Sequence, residues 1–422
     1  MDTGRDTLII GGGIGGLVLA LSLHEVGHRV HIFESATEIR ALGVGINLLP
    51  HAVRELDALG LLGRLSEQAV SPTTLSYFTK HGSLIWSEPR GLAAGYGWPQ
   101  LSIHRGALQT TLLAAVEERI GAGRVHTGHH LVAISQNNRG VTATFDDRRA
   151  GTRLRFDSHA AIGADGIHSV VRQTIRPNEG PPMWNGALLW RGIVDHAPLI
   201  DGRTMVWAGH PGQKFISYPI GDLSGGLQRC NFIAELRGNE TSLAEREDWN
   251  RPGELSDYLP AFESWTFPWL DVAAFIRSAP TTFVFPMVDR DPLDHWSKGR
   301  LTLLGDAAHP MYPIGSNGAS QAILDARVLS ACIRDYADPV EAFARYEAVR
   351  QPATSAIVLA NRGLGPELPM KLVEERAPDG FAEIDDVISP DEIAAATQGY
   401  RQTAGFALAA LADPTSLVDR QY

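Results

Sequence analysis

The chain has 422 residues, 44% hydrophobic and 20% charged, and a formal charge of −11. That length calls for two domains or one large domain with an insertion, and the acidic balance argues against a nucleic-acid partner or an anionic membrane. The two cysteines, Cys230 and Cys332, lie in apolar segments and read as buried free thiols of a reducing cytosol, with no Cys/His cluster for a metal.

Leu8 to Leu23 is apolar enough to mimic a signal peptide. It has no basic leader, since Asp2 and Asp6 balance Arg5, and it is short and glycine-rich for a membrane span. It reads as a fold element of a cytoplasmic protein. Residues 7 to 34 form a βαβ unit. Thr7 to Ile10 is a strand, Leu17 to Val26 a helix, and Arg29 to Phe33 a second strand. Between them Gly11, Gly13 and Gly16 complete GxGxxG, and Glu34 follows 18 residues after Gly16. In such a unit the first glycine permits a tight turn and the second admits a pyrophosphate. The third lets helix and strand touch, and the acid accepts from ribose hydroxyls.

Gly43 and Gly45 mark a loop that taken alone reads as a plain turn, with the alternative that a flat ligand lies close to its backbone. Pro50 to Leu62 is an amphipathic helix, and Thr74 to Trp86 a hairpin about His81-Gly82. The helix Ala107 to Ile120 opens with Arg105, a cation at a dipole-unfavourable end, which suggests an anionic partner. Val125 to Phe145 and Arg153 to Ile162 read as strands. Gly163-Ala164-Asp165-Gly166 then turns into a helix carrying Ser169 and Arg172.

From about 181 to 280 the pattern becomes that of an inserted antiparallel sheet with a helical return. Strand-like runs cover Ala187 to Val194, Thr204 to Ala208, Phe215 to Ile220 and Arg229 to Ala234. Trp190, Trp207, Tyr218 and Phe232 lie on them, most as core and some facing an inter-domain cavity. Arg191 is the cation on the first of these strands that would suit a substrate carboxylate. Its side chain points opposite to Trp190, so the two cannot share one cavity. The expected division is 1–180, 181–280, 281–362 (with a long helix Val340 to Asn361) and a polar tail, 363–422, with weak helix signals.

Leu301 to Ala322 reads as a buried strand, a Gly305-Asp306 turn, a Pro- and Gly-rich loop and a helix from Ala319. Such a loop aims unpaired N–H groups at one point, at the positive end of a helix. His309 has two readings, a structural residue beside a helix end or an acid/base on a phenolic substrate.

Three motifs in fixed order, GGGIGG with Glu34, GADGIHSVVR and LLGDAAHPMYPIGSNGAS, resemble the single-component flavoprotein aromatic hydroxylases, the p-hydroxybenzoate and salicylate hydroxylase group. The resemblance covers residues 7 to about 362. EIRALGVGINLLP, SIHRGALQ, LLWRG and FPMVDRDPLDHW look closest to the phenazine-hydroxylating members. The resemblance implies an α/β fold, a Rossmann-like FAD domain with an inserted antiparallel-sheet substrate domain and C-terminal helices. It implies FAD held by Gly11, Gly13, Ile14, Gly15, Gly16, Glu34, Ser35, Arg40, Gly45, Arg105, Leu131, Asp165, Gly305, Asp306, Gly315, Asn317, Gly318 and Ala319. Pro313, Gly315, Asn317 and Gly318 would face the flavin, whose C4a-hydroperoxide would hydroxylate a small aromatic or heteroaromatic substrate. No side chain is assigned as catalytic. The substrate pocket is expected at Trp190, Tyr218, Phe232, Met287 and Pro313.

Electrons would come from NADH or NADPH, bound transiently because no second GxGxxG exists, and dioxygen is the co-substrate. The expected assembly is a monomer or homodimer. An epoxidase or a Baeyer–Villiger-type monooxygenase shares these features, and a non-catalytic flavin-binding escort is the reading from another class. The halogenase segment WxWxIP is absent; Gly95-Tyr96-Gly97-Trp98-Pro99 comes nearest to it.

Overall fold

The computed structural model describes residues 6–41, 43–238 and 251–422. Asp2 and Arg5 of the N-terminal charge balance, and part of the inserted segment, lie outside them.

A five-stranded parallel sheet carries the first motif. Its order is Leu301–Leu303, Ala160–Gly163, Thr7–Ile10, Val30–Glu34 and Val125–Thr127. The inner strands are buried and largely apolar because both faces are covered, while the edge strand Val125–Thr127 is half-buried. The helix Ile14–Glu25 begins three residues earlier than the sequence suggests and packs on this sheet beside Gly318–Asp335. A three-stranded antiparallel sheet, His129–Asn137, Gly140–Asp147 and Thr152–Ser158, flanks it.

The second sheet has seven strands, in the order Thr282–Asp289, Met183–His196, Gln228–Arg237, Gln213–Asp222, Thr204–His210, Thr74–Phe78 and Leu84–Pro89. The hairpin at 74–89 therefore joins this sheet, through parallel pairing of Thr74–Phe78 with Thr204–Ala208. Both faces are buried. One packs on the helices Leu255–Phe262 and Val272–Arg277 and holds Trp190, Phe215 and Phe232. The other carries Tyr77, Trp207, Tyr218 and Met287 and meets Tyr312, Ile314 and the C-terminal residues Met370, Val373 and Ile388.

The C-terminal tail is ordered into helices Leu368–Arg376 and Pro390–Thr403. The second has a full capping box, Ser389 with Glu392, a signal present in the sequence as SPDE. Both cysteines are free and buried. No helix among the described residues is long and apolar enough to cross a membrane.

Candidate FAD site and active site

The GxGxxG glycines divide by what surrounds them. A Cβ on Gly16 would lie 2.1 Å from Gly11 O, and one on Gly11 2.2 Å from Ala164 O. A Cβ on Gly15 would meet Leu304 Cδ2 at 2.6 Å. Those three glycines serve packing, of the turn against the helix, the 163–166 turn and the 301–304 strand. Gly13 is different: a Cβ there would meet no protein atom within 4 Å, and the same holds at Gly318. Each stands at the N-terminus of a helix with no side-chain cap and no acid in its first turn. Two uncapped helix ends beside open space fit an anionic ligand.

Glu34 is half-buried and accepts from Gly12 N–H (2.8 Å) and Ala36 N–H (2.7 Å). Ser35 Oγ approaches the same carboxylate at 3.2 Å. Arg40 is exposed and pairs with Glu38. Leu131 is buried on an edge strand, which leaves only its backbone for a ligand. Arg105 and Asp306 are both exposed. Desolvation by the surrounding chain raises the Asp306 carboxyl above its ordinary value, with His309 and Arg105 opposing. Arg105 also packs beside Gly43, whose φ is +111°.

At two of the expected cofactor contacts the hydrogen bonds shown are to the protein itself. Asp165 sits beside Gly11, but Oδ1 accepts from Ser169 Oγ (2.5 Å) and Oδ2 from Val170 N–H (2.8 Å). It caps the helix Val170–Ile175, and burial raises its pKa to about 6. Gly45 is glycine because the sheet leaves no room. A Cβ would meet Asn231 Cβ at 2.6 Å, and its N–H donates to Asn231 Oδ1. Its carbonyl accepts from Arg191 Nη2 (2.7 Å) and Tyr218 Oη (2.8 Å).

The second and third motifs meet through Arg172, which is buried, pairs with Glu179 and donates to the carbonyls of Ala307 and Ala308. Behind the Gly305-Asp306 turn, Asp325 accepts from Gly305 N–H and Arg350 Nε, and lies 2.5 Å from His309 Nε2. His309 is thus held behind the turn, in its structural reading.

The loop itself carries positive φ at Gly315 (+68°) and Ser316 (+59°). Pro313 is exposed, Asn317 is buried, and Ala319 lies in the first turn of the helix. Next to Tyr312 and Ile314 a cavity of about 390 Å³ opens between loop and sheet. Met287, Lys214, Glu235, Arg237 and Arg362 line it. Trp190 and Phe232 do not. They occupy the opposite face, where Trp190 stacks on Tyr258 at 5.0 Å and Phe232 packs against Phe275. This corrects their expected place in the pocket, and strand alternation turns Arg191 inward instead.

Among residues that sequence reasoning missed, Asn361 and Tyr400 stand behind the loop, and Asn231 fixes Gly45. None lies in a motif, so only the fold reveals them.

Residues 5–251 and 279–360 match the model of the FAD binding domain family, so the chain belongs to that family. It is 44% identical over 365 residues to the phenazine 1,6-dicarboxylic acid hydroxylase of Lysobacter antibioticus, covering 85% of this chain and 90% of that protein. It is 33% identical over 373 residues to 3-hydroxybenzoate 6-hydroxylase of Klebsiella oxytoca, covering 85% and 87%. The fold matches that of Klebsiella pneumoniae HpxO complexed with FAD and uric acid, with a TM-score of 0.74, 22% identity and 97% of each chain covered. The protein is an FAD-dependent aromatic monooxygenase. The open helix ends at Gly13 and Gly318 fit that cofactor.

Proposed function

We propose that this enzyme uses NADH or NADPH and dioxygen to hydroxylate a flat heteroaromatic carboxylate of the phenazine class. Bound FAD supplies the oxygen-transfer chemistry; the chain binds, orients and excludes water. Gly13, Glu34, Arg105, Asp306 and the Gly315–Ala319 segment hold FAD, and Met287, Pro313 and Tyr218 border the substrate.

The observation that carries the substrate class is Arg191. Its guanidinium is largely enclosed, donates to Gly45 O and lies over the Phe285 ring, its Nε has no hydrogen-bond partner, and it forms no ion pair with an acid among the described residues. Burial pulls its pKa down, with Tyr218 opposing. A buried cation without a counter-charge is costly, and a substrate carboxylate offsets that cost. The 390 Å³ cavity between the loop and the same sheet has room for a fused ring system. The 44% identity to a hydroxylase of phenazine 1,6-dicarboxylic acid supports the same class.

The test is NAD(P)H oxidation and product analysis with phenazine carboxylates, unsubstituted phenazine, 3-hydroxybenzoate and salicylate. Phenazine carboxylates should stimulate oxidation and yield a hydroxylated ring. Equal stimulation by unsubstituted phenazine overturns the role of the carboxylate. Preference for a single-ring benzoate overturns the ring class.

A further inference from the structure

The family match ends at residue 360, yet the flavin-facing loop is held from beyond it. Tyr400, on the helix Pro390–Thr403, lies directly behind Gly315. A Cβ at Gly315 would lie 2.1 Å from Tyr400 Oη, so this phenol dictates glycine there. Tyr400 Oη accepts from Asn317 Nδ2 (2.8 Å) and donates to Asn361 Oδ1 (2.7 Å), with Ile314 O at 3.1 Å. Asn361 Nδ2 in turn donates to Tyr312 O, and Asn317 Nδ2 to Gly315 O. The three polar side chains thus gather the carbonyls of Tyr312, Ile314 and Gly315 on one side. Across a trans peptide the N–H points opposite the preceding carbonyl, so the Gly315 N–H is turned away from Tyr400 and the side-chain network.

We propose that Tyr400 is a positioning residue for the flavin-facing loop: a strut from the C-terminal tail that orients the loop's peptides toward FAD. The positive φ of Ser316 fits this role. A non-glycine residue keeps that conformation only where its surroundings over-determine it. The tail is thereby part of the active-site architecture, and the inference rests on the loop being the flavin-facing one.

The test is Tyr400→Phe, which keeps the ring and removes the hydroxyl. Three readouts are taken: FAD affinity by titrating apoprotein, the visible spectrum of bound FAD, and amide hydrogen exchange of residues 311–319. The expected result is at least about tenfold weaker FAD binding, since buried polar groups lose their partner. The flavin bands should shift, and exchange should quicken in the loop but not in residues 7–34.

Arg401→Gln is the control. It breaks the ion pair between the same helix and Glu88, away from the loop, and should lower the melting temperature while leaving the flavin spectrum unchanged. If Tyr400→Phe does not fold, Asn361→Ala strips the other end of the network and should give the same three changes. The proposal is overturned if the hydroxyl-less variant keeps wild-type affinity, spectrum and loop exchange, if Asn361→Ala does so in its place, or if Arg401→Gln reproduces all three effects. A loop that exchanges faster with FAD affinity and spectrum intact would instead count against the flavin-facing assignment itself.

Discussion

His309 Nε2 lies 2.5 Å from Asp325 Oδ2, and both side chains are closed to solvent. Burial raises the Asp325 carboxyl, but His309 and Arg350 more than offset it, leaving a pKa of about 2. The folded value is below the ordinary 3.8, so this group contributes stability above pH 4 and loses it as pH falls toward 2. The contribution is about 2 kcal/mol. Urea unfolding of the wild type should weaken through that window, and Asp325→Asn should flatten the slope there. At pH 7 the same variant should be less stable by about 3 kcal/mol, because Arg350 is left buried and unpaired.

Gly13 and Gly16 should respond to alanine in opposite ways. At Gly13 the new methyl meets no protein atom, so the apoprotein's unfolding free energy should stay within about 0.5 kcal/mol of wild type. FAD affinity should nevertheless fall, by about tenfold or more, because the methyl enters the open space proposed for the pyrophosphate. At Gly16 it strikes Gly11 O, and little folded protein should accumulate. Apoprotein melting and flavin titration separate the two.

Arg191→Met should raise the KM for a carboxylated ring by about tenfold or more, as a desolvated charge pair is lost. For an uncharged ring of the same shape KM should change little or improve. Steady-state kinetics on the matched pair of substrates decides this. An equal rise for both would assign Arg191 to holding Gly45 alone.

Lys214 is buried between Glu235 (3.0 Å) and Glu367 (2.5 Å), and Glu367 belongs to the C-terminal segment. Burial works against its charge, but the two carboxylates raise its pKa well above the ordinary value. Lys214→Met leaves both acids without a cation and should destabilise by about 3–5 kcal/mol at neutral pH. Adding Glu235→Gln and Glu367→Gln should recover part of that loss. Thermal melts of the single and triple variants check it.

The legible parts of this fold are those where backbone geometry dictates residue type. Gly11, Gly16 and Gly305 are fixed by close approach or positive φ, so the motifs built on them could be read from residue type alone. Trp190 and Phe232 were not legible as core of the far face. The seven-stranded sheet is buried on both sides, so apolar residues do not alternate with polar ones, and nothing in the pattern says which side faces the cavity. Asp165 and Gly45 sit where expected, but their hydrogen bonds go to a helix end and to the sheet, which only the packed structure reveals. Tyr400 lay beyond reach for another reason. It is one aromatic among weak helix signals, and its meaning depends on Asn317 and Asn361, which are distant in sequence.

The seven-stranded sheet draws its strands from three separated stretches, 74–89, 183–237 and 282–289. During synthesis the hairpin at 74–89 must wait for residues 204–208 before it has a neighbour, and the opposite edge waits for 282–289. Pairings between such distant segments close late and slow folding. No single pair of cuts frees either sheet with its own strands intact. The two sheets are therefore inherited together, and neither can be exchanged for a relative's by swapping one contiguous segment.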